Sequence, residues 1–349
     1  MGAIPSYVWH CVGPDQDGPK VLVLGGTHGD ELTGIELVRD WLRVVNPENN
    51  LLPCDAGSFW TPGIKGNLFL GFGNPEAIIR GTRAASDYTK GGSSQPLDLN
   101  RCFDPALLEG DGDWTDLRRA RELQPLLHQV DYLFDIHAVS QQGSNPFVCF
   151  GRMTPEHERL CRMIPVSHVL TDPDCQLGVP EGRCVLPTTD EAVNAHGGSR
   201  WGEARFGTRR GVGLCYETGY EHDLEKVPMA KLVIANLLLG LGVVDAATHE
   251  RLTPKGEELT KAQKCLDTFN HAQQKRMALK TVVCSKESDF VHEPGLTADW
   301  TPVAKGDLIG RYLDGTPVMS PTDGHVVFST SRKKIRIGGP LLYIARELL

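Results

Sequence analysis

Two residues that could share a metal ion, His28 and Glu31, stand three positions apart in the segment GGTHGDE. The apolar residues 21–24 before this segment predict a buried strand, which the glycines at 25 and 26 end. At a turn that opens a helix, a spacing of three puts both side chains on one face. An imidazole and a carboxylate placed in this way can bind one Zn²⁺ and leave positions open for a third ligand and a water. The pair alone is weak evidence, because a histidine and a glutamate after a strand often form only a helix cap and a surface charge.

A second histidine supplies the missing ligand. The segment DYLFDIHAV predicts another buried strand, and His137 lies near its end. Parallel α/β sheets place ligands beyond the carboxyl ends of their strands, so His137 can meet His28 and Glu31 at one edge. Two histidines and a glutamate form the ligand set of a catalytic zinc with an open position. The sequence therefore predicts a Zn²⁺ site on these three residues.

Five further residues could take part in the chemistry of such a site. Glu217 ends a third predicted strand, GLCYETG, and a carboxylate near a zinc-bound water can take its proton and pass it to a leaving amine. Arg83 could polarise a carbonyl oxygen or stabilise an oxyanion. Asn100 and Arg101, in DLNR, offer a fork for a carboxylate, and Asp98 of the same motif could accept the free ring N–H of His28.

Five motifs in a fixed order, GGTHGDE, GNPEAIIRGTR, DLNR, DIHAV and YETG, resemble those of the succinylglutamate desuccinylase/aspartoacylase family, which is related to the zinc carboxypeptidases. The resemblance covers roughly residues 20–240. It implies an α/β carboxypeptidase-like core, and it implies the following site: zinc on His28, Glu31 and His137, Glu217 as general base and acid, Arg83 at the scissile carbonyl, and Asn100 with Arg101 on the substrate carboxylate.

The resemblance leaves the substrate open. The segment between Arg83 and Asp98 is longer than the family pattern leads us to expect. A further substrate-binding arginine is expected shortly before the general base, and Arg205, Arg209 and Arg210 are all candidates for it. Neither the acyl group nor the amino acid of the substrate follows from these motifs.

The elements that must position these residues alternate between strand and helix patterns. Helical stretches are predicted at residues 32–44, 114–130 and 226–241. Strand-like runs are predicted at residues 21–24, 58–60, 67–72, 132–136, 146–150 and 213–217. This alternation predicts a mixed α/β sheet flanked by helices as the catalytic domain, residues 1–253. Residues 171–210 show little periodicity and predict a long surface excursion without a core of its own.

Residues 254–349 have a different character. A polar helix is predicted at residues 257–277 as a connector, and short strands with Gly and Asp-Gly turns then predict a smaller C-terminal β domain. Residues 302–344 resemble a biotinyl/lipoyl-like fold. Such domains carry their cofactor on a lysine at a hairpin tip, and residues 310–319 contain no lysine. We therefore interpret this region as a structural lid rather than an acyl-carrier module.

The composition limits the partners and the cellular location that we expect for this protein. A length of 349 residues favours two domains, and a formal net charge of −8 argues against a nucleic-acid partner and a polybasic membrane surface. The ten cysteines form no CxxC pair, and the N-terminus lacks a signal-peptide pattern, so a cytoplasmic protein with reduced thiols is expected. The apolar run at 232–244 is shorter than the ~20 residues that span a bilayer. The oligomeric state stays open.

Three functions are compatible with this sequence. The favoured one is a zinc-dependent hydrolase that cleaves the amide bond of an N-acyl amino acid or a similar small acylated substrate. A zinc carboxypeptidase acting on peptides would use the same carboxylate fork. A non-catalytic metal- or partner-binding protein would be indicated by loss of the base, but Glu217 is present.

Overall fold

The computed structural model describes residues 4–46, 57–86, 98–176, 186–207, 210–287, 289–330, 332, 335 and 337–348. The first part of the chain contains these strands: β1 (Val8–Val12), β2 (Lys20–Gly25), β3 (Gly57–Trp60), β4 (Asn67–Phe72), β5 (Tyr132–Val139), β6 (Phe147–Phe150), β7 (His168–Thr171) and β8 (Val212–Tyr220). The second part contains these: β9 (Lys275–Cys284), β10 (Phe290–His292), β11 (Pro302–Val303), β12 (Leu308–Tyr312), β13 (Pro317–Met319), β14 (Gly324–Val327) and β15 (Pro340–Glu347).

Helices flank the strands. They are α1 (Leu32–Val45), α2 (Pro75–Arg80), α3 (Pro105–Glu109), α4 (Thr115–Leu127), α5 (Pro155–Cys161), α6 (Thr189–His196), α7 (Arg200–Phe206), α8 (Val227–Gly240), α9 (Ala246–Leu252) and α10 (Gly256–Thr268). Single 3₁₀ turns occur at Leu99–Arg101, Leu224–Lys226 and His271–Gln273. Among the described residues, every helix falls short of the length and hydrophobicity that crossing a bilayer requires.

Twelve of the described strands form one mixed sheet in the order β11-β14-β15-β9-β7-β6-β8-β5-β2-β4-β1-β3, while β10, β12 and β13 form a second, smaller sheet. Strand β5 lies between β2 and β8 and is parallel to both. All eight residues of β5 are buried, as expected for a parallel strand covered on both faces. The carboxyl ends of these three strands therefore meet at one edge of the sheet, and the predicted α/β fold class is confirmed.

Two local predictions were wrong. Residues 171–210, predicted as a surface excursion, include α6 and α7, and α6 packs on the central sheet with Val193 buried. These helices are too short to give a clear apolar period. The polar helix predicted to reach residue 277 ends at Thr268, because Met277 and its neighbours enter β9 and pair with both β7 and β15. The pattern also missed β1, β7 and α2.

The C-terminal strands continue the sheet that the first part of the chain forms. Strand β9 pairs in parallel with β7, with His168 opposite Lys275. One hydrophobic cluster contains Phe147 and Leu170 from the first part of the chain together with Met277 and Tyr343 from the second. A division into residues 1–253 and 254–349 stays a prediction.

Candidate active site

A cavity of about 650 Å³ opens at the carboxyl edge of β2, β5 and β8. All eight residues that the sequence predicted for the site line this cavity, and they are His28, Glu31, Arg83, Asp98, Asn100, Arg101, His137 and Glu217. The structure therefore brings together side chains that are up to about 190 positions apart in the sequence. A volume of this size is typical of small-molecule sites.

The three predicted metal ligands converge on each other. The ligand atoms of His28, Glu31 and His137 all lie within 4.8 Å of one another, and all three residues are buried. One oxygen of Glu31 lies 2.6 Å from His28 Nδ1, and the other lies 2.9 Å from His137 Nδ1. Glu31 occupies the N-cap position of α1 without capping it, because its carboxylate is turned toward the two imidazoles. A histidine–histidine–carboxylate set this compact fits Zn²⁺.

The turn that delivers His28 depends on a glycine. Gly26 has a φ of +68°, and a Cβ atom at this position would lie 2.5 Å from the Ile78 side chain. Only glycine adopts such a backbone without strain. The turn between β2 and α1 can therefore place His28 and Glu31 at the sheet edge.

Each histidine directs its second nitrogen toward an aspartate. His28 Nε2 lies 3.0 Å from Asp98 Oδ1, the contact that the sequence suggested. His137 Nε2 lies 3.1 Å from Asp135 Oδ2, a contact that sequence reasoning missed. The signal was present, since Asp135 is two residues before His137 in a strand and must share its face. Carboxylates in this position orient metal-binding imidazoles.

The charges in this cluster depend on one another. Burial and Arg83 lower the pKa of His28, but the carboxylates of Glu31 and Asp98 outweigh them and raise it above its ordinary value. Burial lowers the pKa of His137 too, and the carboxylates of Asp135 and Glu31 raise it well above that value. Burial raises the pKa of Glu31, but the two imidazoles lower it by a larger amount. The pKa therefore lies below its ordinary value, and this carboxylate stays charged. Buried anionic oxygens facing imidazole nitrogens form an environment suited to a cation.

Glu217 extends from β8 directly beside His137 of β5, in register with it. Its side chain is buried, and Oε2 has no hydrogen-bond partner among the described residues. Burial raises the pKa of Glu217 to about 7, His137 opposes this shift, and the nearby Glu31 carboxylate adds to it. A carboxylate with a pKa near neutrality can both accept and donate a proton in catalysis.

The polar side of the cavity carries the two predicted arginines. Arg83 Nε donates to Asp98 Oδ2 over 3.0 Å, and its Nη1 lies 3.4 Å from Glu31 Oε1. Arg101 Nη1 donates to the backbone carbonyl of Asn100 over 2.6 Å. Both guanidinium groups line the cavity.

The further substrate-binding arginine is not supplied by the described candidates. Arg205 and Arg210 are exposed, and neither of them lines the cavity. Arg209 lies outside the described residues.

A buried threonine, Thr189, links Asn100 to Asp135, the aspartate beside His137. The backbone N–H of Thr189, in the first turn of α6, donates to Asn100 Oδ1 over 2.9 Å. The hydroxyl of the same residue donates to Asp135 Oδ2 over 2.5 Å, and the Thr27 hydroxyl donates to Asp135 Oδ1 over 2.9 Å. The Asn100 oxygen is therefore occupied, which leaves its amide N–H₂ for a ligand.

Residues of the C-terminal part of the chain form one wall of the cavity. The sequence predicted a lid in this part of the chain, but not which residues would form the wall. Phe328 and Tyr343 line this wall, and Phe328 has a φ of +52°. The Phe328 backbone N–H donates to Asp299 Oδ1 over 2.9 Å, and the Ser144 hydroxyl donates to Asp299 Oδ2 over 2.7 Å. Gln141 Nε2 also donates to a backbone carbonyl of this wall, 2.7 Å away. The loop after His137 thus fixes the wall in place.

Comparison with known proteins agrees with the motifs. The model of the succinylglutamate desuccinylase/aspartoacylase catalytic domain matches residues 17–171. A probable aspartoacylase of Parasynechococcus marenigrum (strain WH8102) is 33% identical over 138 residues, which cover 38% of each chain. An N-acyl-aromatic-L-amino acid amidohydrolase (carboxylate-forming) of Xenopus tropicalis is 27% identical over 138 residues, 38% of this chain and 37% of that protein. These matches span little more than a third of the relatives' length.

Solved structures share the fold over nearly the whole chain. Murine aminoacylase 3 aligns with a TM-score of 0.57 at 17% identity and covers 95% of both chains. A succinylglutamate desuccinylase/aspartoacylase from Rhodobacter sphaeroides aligns with a TM-score of 0.58 at 19% identity, covering 96% of this chain and 87% of that one. The family model over residues 17–171, the relatives in sequence and the shared fold together support the resemblance to the succinylglutamate desuccinylase/aspartoacylase family.

Proposed function

We propose that this protein is a zinc-dependent amidohydrolase that cleaves the amide bond of an N-acyl amino acid or a similar small acylated substrate. The observation that carries the proposal is the convergence of His28, Glu31 and His137 beside a buried Glu217 in one cavity. One of the relatives is named as a probable aspartoacylase and another as an N-acyl-aromatic-L-amino acid amidohydrolase, which supports an amide substrate.

The residues divide the reaction between them. When bound, a Zn²⁺ held by His28, Glu31 and His137 would supply a Lewis acid and would lower the pKa of a water. Glu217 accepts the proton from the attacking water and passes it to the leaving amine, a role that its pKa of about 7 suits. Arg83, beside Glu31, stabilises the oxygen that becomes negative as the carbonyl is attacked.

The substrate is held by its carboxylate. The Asn100 amide, whose oxygen is occupied by Thr189, donates its N–H₂ group, and Arg101 supplies a guanidinium from the same 3₁₀ turn. This pair binds a single carboxylate at a fixed distance from the metal ligands. A peptide substrate of a carboxypeptidase would satisfy the same fork, but a cavity of about 650 Å³ with Phe328 and Tyr343 in its wall favours a small substrate.

A cytoplasmic location is also part of the proposal. The eight cysteines among the described residues are free thiols, and a reducing compartment maintains that state.

The test couples metal analysis to a substrate screen. We expect one zinc per chain and hydrolysis of members of a panel of N-acyl amino acids, whereas peptides of matched terminal residue should react poorly. Glu217→Gln is the matched control, because it should bind zinc but fail to hydrolyse the panel. A protein that binds no zinc, or that hydrolyses only peptides, would overturn the proposal.

A further inference from the structure

A buried carboxylate, that of Asp190, lies on the floor of the cavity. In β8, Cys215 precedes Glu217 by two residues, so it shares the face of the proposed base and lies about 7 Å further back along the strand. Asp190, in the first turn of α6, places Oδ1 3.5 Å from Cys215 Sγ. Asp190 and Cys215 both line the cavity, although Asp190 is only 2% exposed. The cavity therefore has an acidic group beneath the row of the base.

This floor lies on the same side as the carboxylate fork. Asn100 Oδ1 accepts a hydrogen bond from the backbone N–H of Thr189 over 2.9 Å, and Thr189 is the residue before Asp190. A substrate carboxylate bound by Asn100 and Arg101 is therefore held beside the helical turn that carries Asp190. The side chain of an amino acid leaves from the carbon next to its α-carboxylate. That side chain is thus the part of the substrate that can reach the floor.

The groups around Asp190 leave its negative charge without a counter-charge. Burial raises the pKa of Asp190 to about 6; the neutral donors Thr188 and Cys215 oppose this shift, and the nearby Asp135 adds to it. At neutral pH the carboxylate is therefore mostly charged. Within the described part of the chain, the side chains that shift its pKa are two neutral donors and a second acid. A buried charge is costly unless an opposite charge pairs with it.

The arginines of the cavity are engaged elsewhere. Arg83 pairs with Asp98 and Glu31, and Arg101 donates to the backbone carbonyl of Asn100. The described candidates for a further arginine do not line the cavity, as noted above. An acidic substrate side chain on the floor would therefore meet like charge, which is unfavourable.

An amine on a methylene stem fits this floor better. Cys149, Cys215 and Leu186 line the cavity with uncharged side chains, against which a stem can pack. The ammonium group at the end of the stem would supply the opposite charge that Asp190 lacks, in a charge-assisted hydrogen bond.

We propose that Asp190 is a specificity-determining residue that selects N-acyl amino acids with a cationic amine in the side chain. The inference rests on the proposed deacylase function and names the substrate class of the same site. Acylated amino acids with acidic or apolar side chains are the disfavoured substrates.

Matched substrates test this selection. Nα-acetyl-lysine and Nα-acetyl-ornithine carry an amine that Nα-acetyl-norleucine and Nα-acetyl-norvaline lack, and Nα-acetyl-glutamate carries the opposite charge. We expect kcat/KM to be about 10–100-fold higher for the amines than for the other substrates, the range for a charge-assisted hydrogen bond. Asp190→Asn keeps the shape of the side chain and removes its charge, so this preference should fall toward one.

Glu191→Gln is the matched control variant. It removes the next carboxylate of the same helical turn, which does not line the cavity, and it should keep the preference of the wild type. Because the preference is a ratio of two substrates on one preparation, a partly unfolded variant does not change it.

Binding without turnover separates this inference from the proposed function. In Glu217→Gln, calorimetry should show tighter binding of Nα-acetyl-lysine than of Nα-acetyl-norleucine, and Glu217→Gln/Asp190→Asn should bind the two alike. Equal affinities in Glu217→Gln, or an unchanged preference after Asp190→Asn, would overturn the inference even if the wild type hydrolyses both substrates. Binding that prefers the amine, in a protein that hydrolyses no member of the panel, would support the inference and overturn the proposed function.

Discussion

Glu217 lies directly opposite His137 in the register of β8 and β5, and both side chains are buried at the edge of the sheet. The proposed base and one proposed metal ligand are therefore fixed relative to each other by backbone hydrogen bonds rather than by a flexible loop. A variant that preserves the shape of either side chain should therefore change metal binding or proton transfer, but not both.

Glu217→Gln keeps the shape of the side chain and removes the proton acceptor. We expect the bound zinc to stay at one per chain while kcat falls by roughly 10²–10⁴-fold, the usual contribution of a positioned acid–base group. Steady-state kinetics and metal analysis on the same preparation measure both quantities. Turnover like that of the wild type would assign the base role to another residue.

His28→Ala and His137→Ala should each lose zinc and activity together, because three protein ligands are the minimum for the site. Asp98→Ala leaves all three ligands and removes the contact at His28 Nε2, together with the hydrogen bonds that Arg83 Nε and the Asn100 backbone N–H donate to Asp98. We expect it to weaken zinc affinity by about 10–100-fold, measured by competition with a chelator. Equal zinc affinity in Asp98→Ala and wild type would show that this contact does not orient the ligand.

Arg101→Lys should raise KM for substrates with a free α-carboxylate, since a lysine cannot form the two parallel hydrogen bonds of a guanidinium. The expected loss is about 1.5–3 kcal/mol, the range for a charge-assisted hydrogen bond. The matching carboxamide substrates are the control, and their KM should change little. Should they lose as much as the free acids, Arg101 does not bind the carboxylate.

His157 should make stability depend on pH. The side chain is buried in α5, stacks on Phe150 with ring centroids 4.4 Å apart, and donates from Nε2 to the Gly213 carbonyl. Burial lowers the pKa of His157 to about 4 from an ordinary 6.5. Between these values the unfolded chain binds more protons than the folded one, so the free energy of unfolding falls as the pH falls, by up to roughly 3 kcal/mol.

Denaturant titrations of wild type and His157→Gln at several pH values between 8 and 4 test this dependence. The stability of His157→Gln should decline less than that of the wild type over this window, whatever its absolute value at pH 8. Parallel declines would mean that the histidine accepts a proton in the folded state at its ordinary pKa.

The sequence predicted those residues of the site whose positions follow from a local sequence pattern. His28, Glu31, His137 and Glu217 all follow or end apolar runs, and a strand end in a parallel sheet has a known position relative to its neighbours. Their approach to one another therefore needed no knowledge of distant contacts.

Other parts of the site depend on contacts that no local pattern encodes. The hydroxyl of Thr189 reaches Asp135 from a short helix whose apolar face is only a few residues long. Tyr343 reaches the cavity because β15 pairs with β9, and β9 with β7, about 100 residues away in sequence. Such pairings are set by the packing of the whole sheet, so the wall of the cavity had to be seen in the structure.

The position of β15 in the sheet has a consequence for folding. This strand lies between β14 and β9, both of which precede it in the chain, and β9 in turn joins the catalytic strands through β7. During synthesis from the N-terminus, β9 and β14 are made before β15. The sheet is therefore completed when β15 inserts between these two strands. Non-local insertions of this kind are slow relative to helix formation. In refolding from denaturant, catalytic activity should therefore return later than helical circular dichroism, because the Tyr343 wall forms only when β15 is seated.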